Sequence, residues 1–214
     1  MKPQELLPGH RQEKASIARW AWPAAIGAAG VAWYMADSLS HRREGAYGFE
    51  ALYYLAIASA KRSIDLTAAY FVPRPAFIEA LAKAAQSDVR IRILVPGPHI
   101  DKGFVRVAGR AAYESLLDAG IEIHEYQRTM LHAKTMVVDD TWSSVGTVNF
   151  DNRSFQLHDE VTLCVWSEQF AGRLGEAFVN DLEHSDRMQL ERWKRRGVRD
   201  RVAQGVSKLA RREL

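Results

Sequence analysis

One cysteine, Cys164, stands in a chain of 214 residues, which excludes a disulfide framework and a cysteine-based zinc site. Internal repeats and low-complexity tracts are absent, so solenoids, propellers and Pro- or Ser-rich linkers fall away too. Strong charge of one sign is also missing: 29 Lys and Arg face 26 Asp and Glu. With 47% hydrophobic and 26% charged residues, the composition excludes a mostly disordered chain. The length suits one domain and hardly two. Six Trp, seven Tyr and eight Phe are ample for a core.

A long apolar run is nearly missing as well. Trp20 to Ala36 is uncharged for 17 residues, the lower limit for a membrane-spanning helix at about 17–25 residues. It is mostly Ala and Gly and is broken by Pro23, Gly27 and Gly30. The stretch reads as one or two buried strands, the second carrying Val31, Trp33 and Met35 in alternation. A membrane span and a signal peptide ending near Ala32, Ala36 and Ser38 are the alternatives. We therefore set residues 1–47 apart as an N-terminal segment.

The small net charge conceals an uneven distribution. The balance is +2 over residues 1–44, −6 over 45–186 and +7 over 187–214. A basic tail over 187–214 behind an acidic body suggests an anionic partner, a membrane surface or a nucleic acid. A solvated helix end is the plain alternative.

Between Gly48 and Asp186 the hydrophobic spacing alternates between two periods. Phe49, Leu52, Tyr53, Leu55, Ala56 and Ile57 have helical spacing and lead into a strand at Ser63–Thr67. A helix carrying Phe77, Ile78, Leu81 and Ala85 precedes a strand with Val89, Ile91, Ile93 and Val95, closed by Pro96-Gly97-Pro98. A helix through Tyr113 and Leu116 should stop at Gly120, a natural C-cap, before a strand opened by Ile121 and Ile123. Three further strands follow at Lys134–Asp139, Trp142–Gly146 and Val161–Trp166, the first two joined by a turn at Asp139-Asp140-Thr141. A last amphipathic helix turns Phe170, Leu174, Ala177, Phe178 and Leu182 inward. The fold class is α/β, with a mixed, partly parallel sheet flanked by helices.

The chemistry concentrates in Leu131-His132-Ala133-Lys134-Thr135-Met136-Val137-Val138-Asp139. On a strand His132 and Lys134 share a face. An imidazole beside an ammonium suits attack on a phosphodiester: His supplies the nucleophile, and Lys holds the phosphoryl oxygens. Asp139 lies an odd number of residues from His132, so it should face away and anchor the strand end. Gly146 permits close backbone approach, and Asn149 can donate to a phosphate oxygen. Glu160, at the head of the next strand, can orient a histidine through its second nitrogen.

H-x-K-x4-D followed by G-[ST]-x-N resembles the phospholipase D superfamily. The stretch from Val145 to Phe155, with Tyr70-Phe71-Val72-Pro73 and Gly120 to Tyr126, resembles bacterial cardiolipin synthases. The resemblance implies a phospholipase D-like lobe over residues 48–186. It also implies catalytic roles for His132, Lys134 and Asp139, with Gly146, Asn149 and Glu160 supporting and Tyr70 and Thr147 contacting substrate. Two departures are small: Thr147 keeps the hydroxyl of the usual Ser, and His158 replaces an Asn before Asp159-Glu160.

The third departure is large. Cardiolipin synthases carry two H-x-K-x4-D motifs, and none of the other six histidines here has a Lys two residues on. The chain matches one lobe, most like the second. By resemblance, one motif's His forms a phosphohistidine and the other protonates the leaving alcohol. That implies a phosphatidyltransferase making cardiolipin from phosphatidylglycerol, active only with a second lobe, from another copy or another chain. It further implies association with anionic phospholipid at the bacterial inner membrane and no cofactor or metal. A homodimeric single-motif phosphodiesterase or nuclease, and an inactive half, are the alternatives.

Overall fold

A computed structural model of the chain describes residues 32–37, 48–151, 154–155 and 160–195. The elements run β1 (Ala32–Asp37), α1 (Gly48–Ser59), β2 (Ser63–Thr67), α2 (Pro75–Gln86), β3 (Arg90–Pro96) and α3 (Gly103–Gly109). A 3-10 turn at Arg110–Ala112 leads into α4 (Tyr113–Asp118), β4 (Glu122–Tyr126), β5 (Thr135–Val138) and β6 (Trp142–Gly146). The series closes with β7 (Val161–Trp166), α5 (Glu168–Leu182), β8 (Ser185–Arg187) and α6 (Leu190–Lys194).

The strands form one sheet in the order β1-β7-β6-β5-β2-β3-β4-β8. β2, β3 and β4 are parallel, and each return between them is made through helices, as parallel neighbours require. All other neighbours pair antiparallel. This is the mixed, helix-flanked α/β sheet that the alternating periods imply.

Strand alternation divides the apolar residues between two faces. Ile64, Leu66, Ile93, Ile123 and Met136 meet Phe49, Tyr53 and Ile57 of α1, Phe77 and Leu81 of α2 and Leu116 of α4. On the opposite face, Leu94 and Leu131 pack against Phe178 of α5. Ser167 caps α5 by accepting the Phe170 N–H at 3.3 Å. Ala177, expected to face inward on α5, is exposed. Gly120 ends α4 in the left-handed region at φ 84°, as a C-cap glycine does.

At the two ends of the lobe the structure adds elements to the sheet, the first at the strand that the alternation of Val31, Trp33 and Met35 implies. Residues 32–37 form a strand, paired antiparallel with β7 at the sheet edge; the rest of the 1–47 segment lies outside the described residues. No helix among the described residues is long and apolar enough to cross a membrane. The basic stretch from 187 opens inside packed structure. β8 pairs with β4 through Arg187, and Trp193 of α6 is buried with its ring 5.0 Å from that of Tyr113. Polar residues without alternation conceal β8. Residues 196–214 lie outside the description.

The parallel strands end at one edge of the sheet, where α/β proteins place their ligands. β5 runs antiparallel to β2, so the residues before it begin at that same edge.

Candidate active site

His132 and Lys134 precede β5, whose ladder begins at Thr135. Strand alternation therefore does not fix their shared direction as expected. The link between them is through the main chain: the Lys134 ammonium folds back and donates to the His132 carbonyl oxygen at 2.9 Å. His132 is exposed while Lys134 is buried. Burial lowers the Lys134 pKa below the ordinary lysine value, opposed by the charges of Glu160, Asp101 and Asp151. An exposed imidazole is thus followed two residues on by a partly desolvated cation.

The segment after β6 frames this pair. Gly146 ends β6 where an added Cβ would lie 2.2 Å from the Val161 carbonyl oxygen and 2.6 Å from Thr162 Oγ1. The close approach that Gly146 permits is thus to β7. Thr147, expected at substrate, accepts the Val161 N–H on its hydroxyl at 3.0 Å and extends the ladder by a side chain. Asn149 is buried, and its Oδ1 accepts the Tyr70 N–H at 3.1 Å while Nδ2 faces Ser154 Oγ at 3.4 Å. Its carboxamide braces the site from inside. Phe150 and Phe155 lock this segment onto the helices: Phe77 stacks on Phe155 at 5.2 Å, and Tyr53 meets Phe150 at 4.9 Å.

Tyr70 is brought directly to the expected nucleophile. Its ring meets the His132 imidazole edge-on, with centroids 6.1 Å apart. Its hydroxyl donates to Asp101 at 2.6 Å. Burial, and then that bond, push the phenol pKa up to about 12. Asp101 follows Pro96-Gly97-Pro98 in a polar loop; only that loop's place at the end of a parallel strand could have pointed to it.

Asp139 is held apart. It lies beyond the far end of β5, separated from His132 by extended chain at about 3.3 Å per residue. Its carboxylate accepts the N–H groups of Lys61, Arg62 and Ser63 at 2.9, 2.7 and 2.9 Å. Asp139 and Asp140 both have positive φ, at 53° and 55°, in the turn that Thr141 N–H closes onto Val138. Asp tolerates that conformation. The structure thus assembles His132, Lys134, Tyr70 and Asn149 at one edge and leaves Asp139 at the opposite strand end. Glu160 is buried before β7, near enough for its charge to act on Lys134.

A family model described as "Cardiolipin synthase, PLD-like domain" matches residues 53–182. Cardiolipin synthase 2 of Staphylococcus epidermidis is 39% identical over 153 residues, covering 72% of this chain and 31% of the relative. The cardiolipin synthase of Geobacillus kaustophilus is 39% identical over 158 residues, covering 74% and 31%. The chain therefore spans about a third of the length of the curated relatives it matches. Among solved structures, Nuc of Salmonella typhimurium, a phospholipase D family member, superposes with a TM-score of 0.64 at 21% identity, covering 75% of this chain and 99% of that one. Phosphatidylserine synthase of Haemophilus influenzae gives 0.64 at 13% identity, over 85% and 44%. Both share the fold. Matched by the family model from Tyr53 to Leu182, more than half its length, the chain belongs to the phospholipase D-like domain family of the cardiolipin synthases.

Proposed function

We propose that the chain is the second-motif half of a phosphatidyltransferase that joins two phosphatidylglycerol molecules into cardiolipin and glycerol. The observation that carries this reading is the outward-facing His132 anchored to the buried Lys134 ammonium. A ring nitrogen of His132 attacks phosphorus, and the bond from phosphorus to the departing glycerol oxygen breaks. That oxygen takes its proton from a histidine of a second lobe on the opposite side of the phosphate. The acceptor hydroxyl then returns a proton to that histidine and attacks phosphorus, and the P–N bond gives its electron pair back to His132. Lys134 steadies the phosphoryl charge throughout.

The reaction is tested with phosphatidylglycerol vesicles, the purified chain and a separate lobe carrying the first H-x-K-x4-D motif. Cardiolipin should form only when both lobes are present. Cardiolipin formation that survives His132→Ala would refute the assignment.

Coverage of Nuc over 99% of its length favours a second reading, in which one lobe is a whole chain and two copies share a site. This is the homodimeric phosphodiesterase. It would hydrolyse bis(4-nitrophenyl) phosphate or DNA as a dimer, with no cardiolipin formed under any pairing.

A further inference from the structure

Two charged residues in the loop after β3, Asp101 and Lys102, play no part in the chemistry derived so far. Both are exposed, and both close on Tyr70. The Tyr70 hydroxyl donates to Asp101 at 2.6 Å, and the Lys102 ammonium stands 5.2 Å from the Tyr70 ring centroid. The same ring meets His132 edge-on at 6.1 Å. One phenol therefore links an anion, a cation and the expected nucleophile. Its main chain is fixed on both sides, the N–H by Asn149 and the carbonyl by the Phe150 N–H at 3.1 Å.

The chemistry of this trio selects a ligand class. An ionised carboxylate offers about four acceptor positions; the Tyr70 hydroxyl and the main-chain N–H groups of Lys102 and Asp101 act on that of Asp101, which leaves room for a further donor. The Tyr70 bond is the largest influence holding the Asp101 carboxyl below its usual range, so it is an acceptor near neutral pH. Hydroxyl groups are what such an acceptor binds, while Lys102 offers a cation to an anionic oxygen. Lys102 and His132 both face the Tyr70 ring, at 5.2 and 6.1 Å from its centroid, so an anionic oxygen held by Lys102 lies beside the same ring as the expected nucleophile.

We infer that Asp101, Tyr70 and Lys102 form the acceptor subsite, in which Asp101 reads the hydroxyls of a glycerol headgroup and Lys102 holds that headgroup's own phosphate. The role as acceptor subsite rests on the phosphatidyltransferase reading. The binding itself rests only on this geometry.

The test is an NMR titration of the full chain with sn-glycerol 3-phosphate, and with ethyl phosphate as a probe that lacks the two hydroxyls. Glycerol phosphate should shift the Tyr70, Asp101 and Lys102 signals at concentrations where ethyl phosphate does not. Asp101→Asn should weaken glycerol phosphate about fivefold, the equivalent of one exposed polar contact, and leave ethyl phosphate unchanged. Lys102→Ala should weaken both probes while Tm stays at the wild-type value. Equal binding of the two probes by the wild type, or shifts confined to His132 and Lys134, would overturn the subsite. The two readings fail separately, because trapping of phosphate on His132 without these shifts sinks only the subsite. Glycerol phosphate shifts without any trapped phosphate sink only the transferase.

Discussion

Asp139 closes on Arg62: its carboxylate accepts the Arg62 N–H at 2.7 Å and ties the start of β2 to the end of β5. Burial alone would raise its pKa, but the N–H groups of Ser63, Lys61 and Arg62 outweigh it and hold the carboxyl below the ordinary aspartate value. The residue that completes the H-x-K-x4-D motif is thus placed to hold strands together.

Asp139→Asn should therefore act on stability. Loss of charge-assisted bonds costs about 1–2 kcal/mol, a fall in Tm of roughly 2–8 °C for a domain of this size. Because the folded pKa is depressed, this contribution is present above the unfolded value of about 3.9 and is lost as pH falls through the folded one. Thermal melts of both chains between neutral and acid pH should converge at the acid end. A variant with wild-type melting and no activity would contradict the anchoring role.

His132→Ala and Lys134→Met should part company with Asp139→Asn. Each should abolish phosphoryl transfer, the first by removing the nucleophile and the second by removing charge at the phosphate. Lys134 is a cation whose pKa burial has lowered, so replacing it with an apolar side chain should leave Tm no lower than wild type. Melting and turnover measured on the same preparations check both claims.

Much of this was legible in advance, and the reason is periodicity. Ser63–Thr67, Trp142–Gly146 and Val161–Trp166 are strands with the bounds their alternation implies. Short, polar or glycine-bounded pieces were not: α3 is seven residues that begin and end on glycine, and β8 is Ser-Asp-Arg. At the site, His132, Lys134 and Tyr70 stand out by residue type, whereas the bonds that Asn149 makes to Tyr70 and Ser154 could not be read from sequence. Asp101 and Lys102 carry no periodic signal at all. Only tertiary placement reveals them.

Gly146→Ala and Gly172→Ala should have opposite signs. At Gly146 the new Cβ meets the Val161 carbonyl oxygen at 2.2 Å, backbone that cannot yield without parting β6 from β7. A loss of about 1–3 kcal/mol is expected. At Gly172, within α5, nothing lies within 4 Å, and helix propensity favours Ala by up to about 1 kcal/mol. Urea unfolding of both variants measures the two signs.

Truncation after Arg195 should separate lipid contact from folding. Residues 196–214 hold six basic and two acidic side chains, and near an anionic surface each cation adds about 1 kcal/mol. Their removal should weaken binding to phosphatidylglycerol vesicles, as should salt on the intact chain, while Tm holds. Truncation before Arg187 should instead cost stability, since it removes Trp193 from the core. Vesicle co-sedimentation beside thermal melts distinguishes the two. Equal vesicle binding with and without residues 196–214 would exclude the tail as the lipid contact.

The central claim is that this chain supplies one of the two histidines that must flank the phosphate, since in-line displacement sets nucleophile and leaving oxygen on opposite sides. The direct measurement is turnover of phosphatidylglycerol to cardiolipin against protein concentration, with the mass in solution determined on the same samples. The monomer should be inactive, with activity arising only when a second motif joins it, from a separate lobe or a second copy. Full turnover by a species shown to be monomeric would contradict the claim.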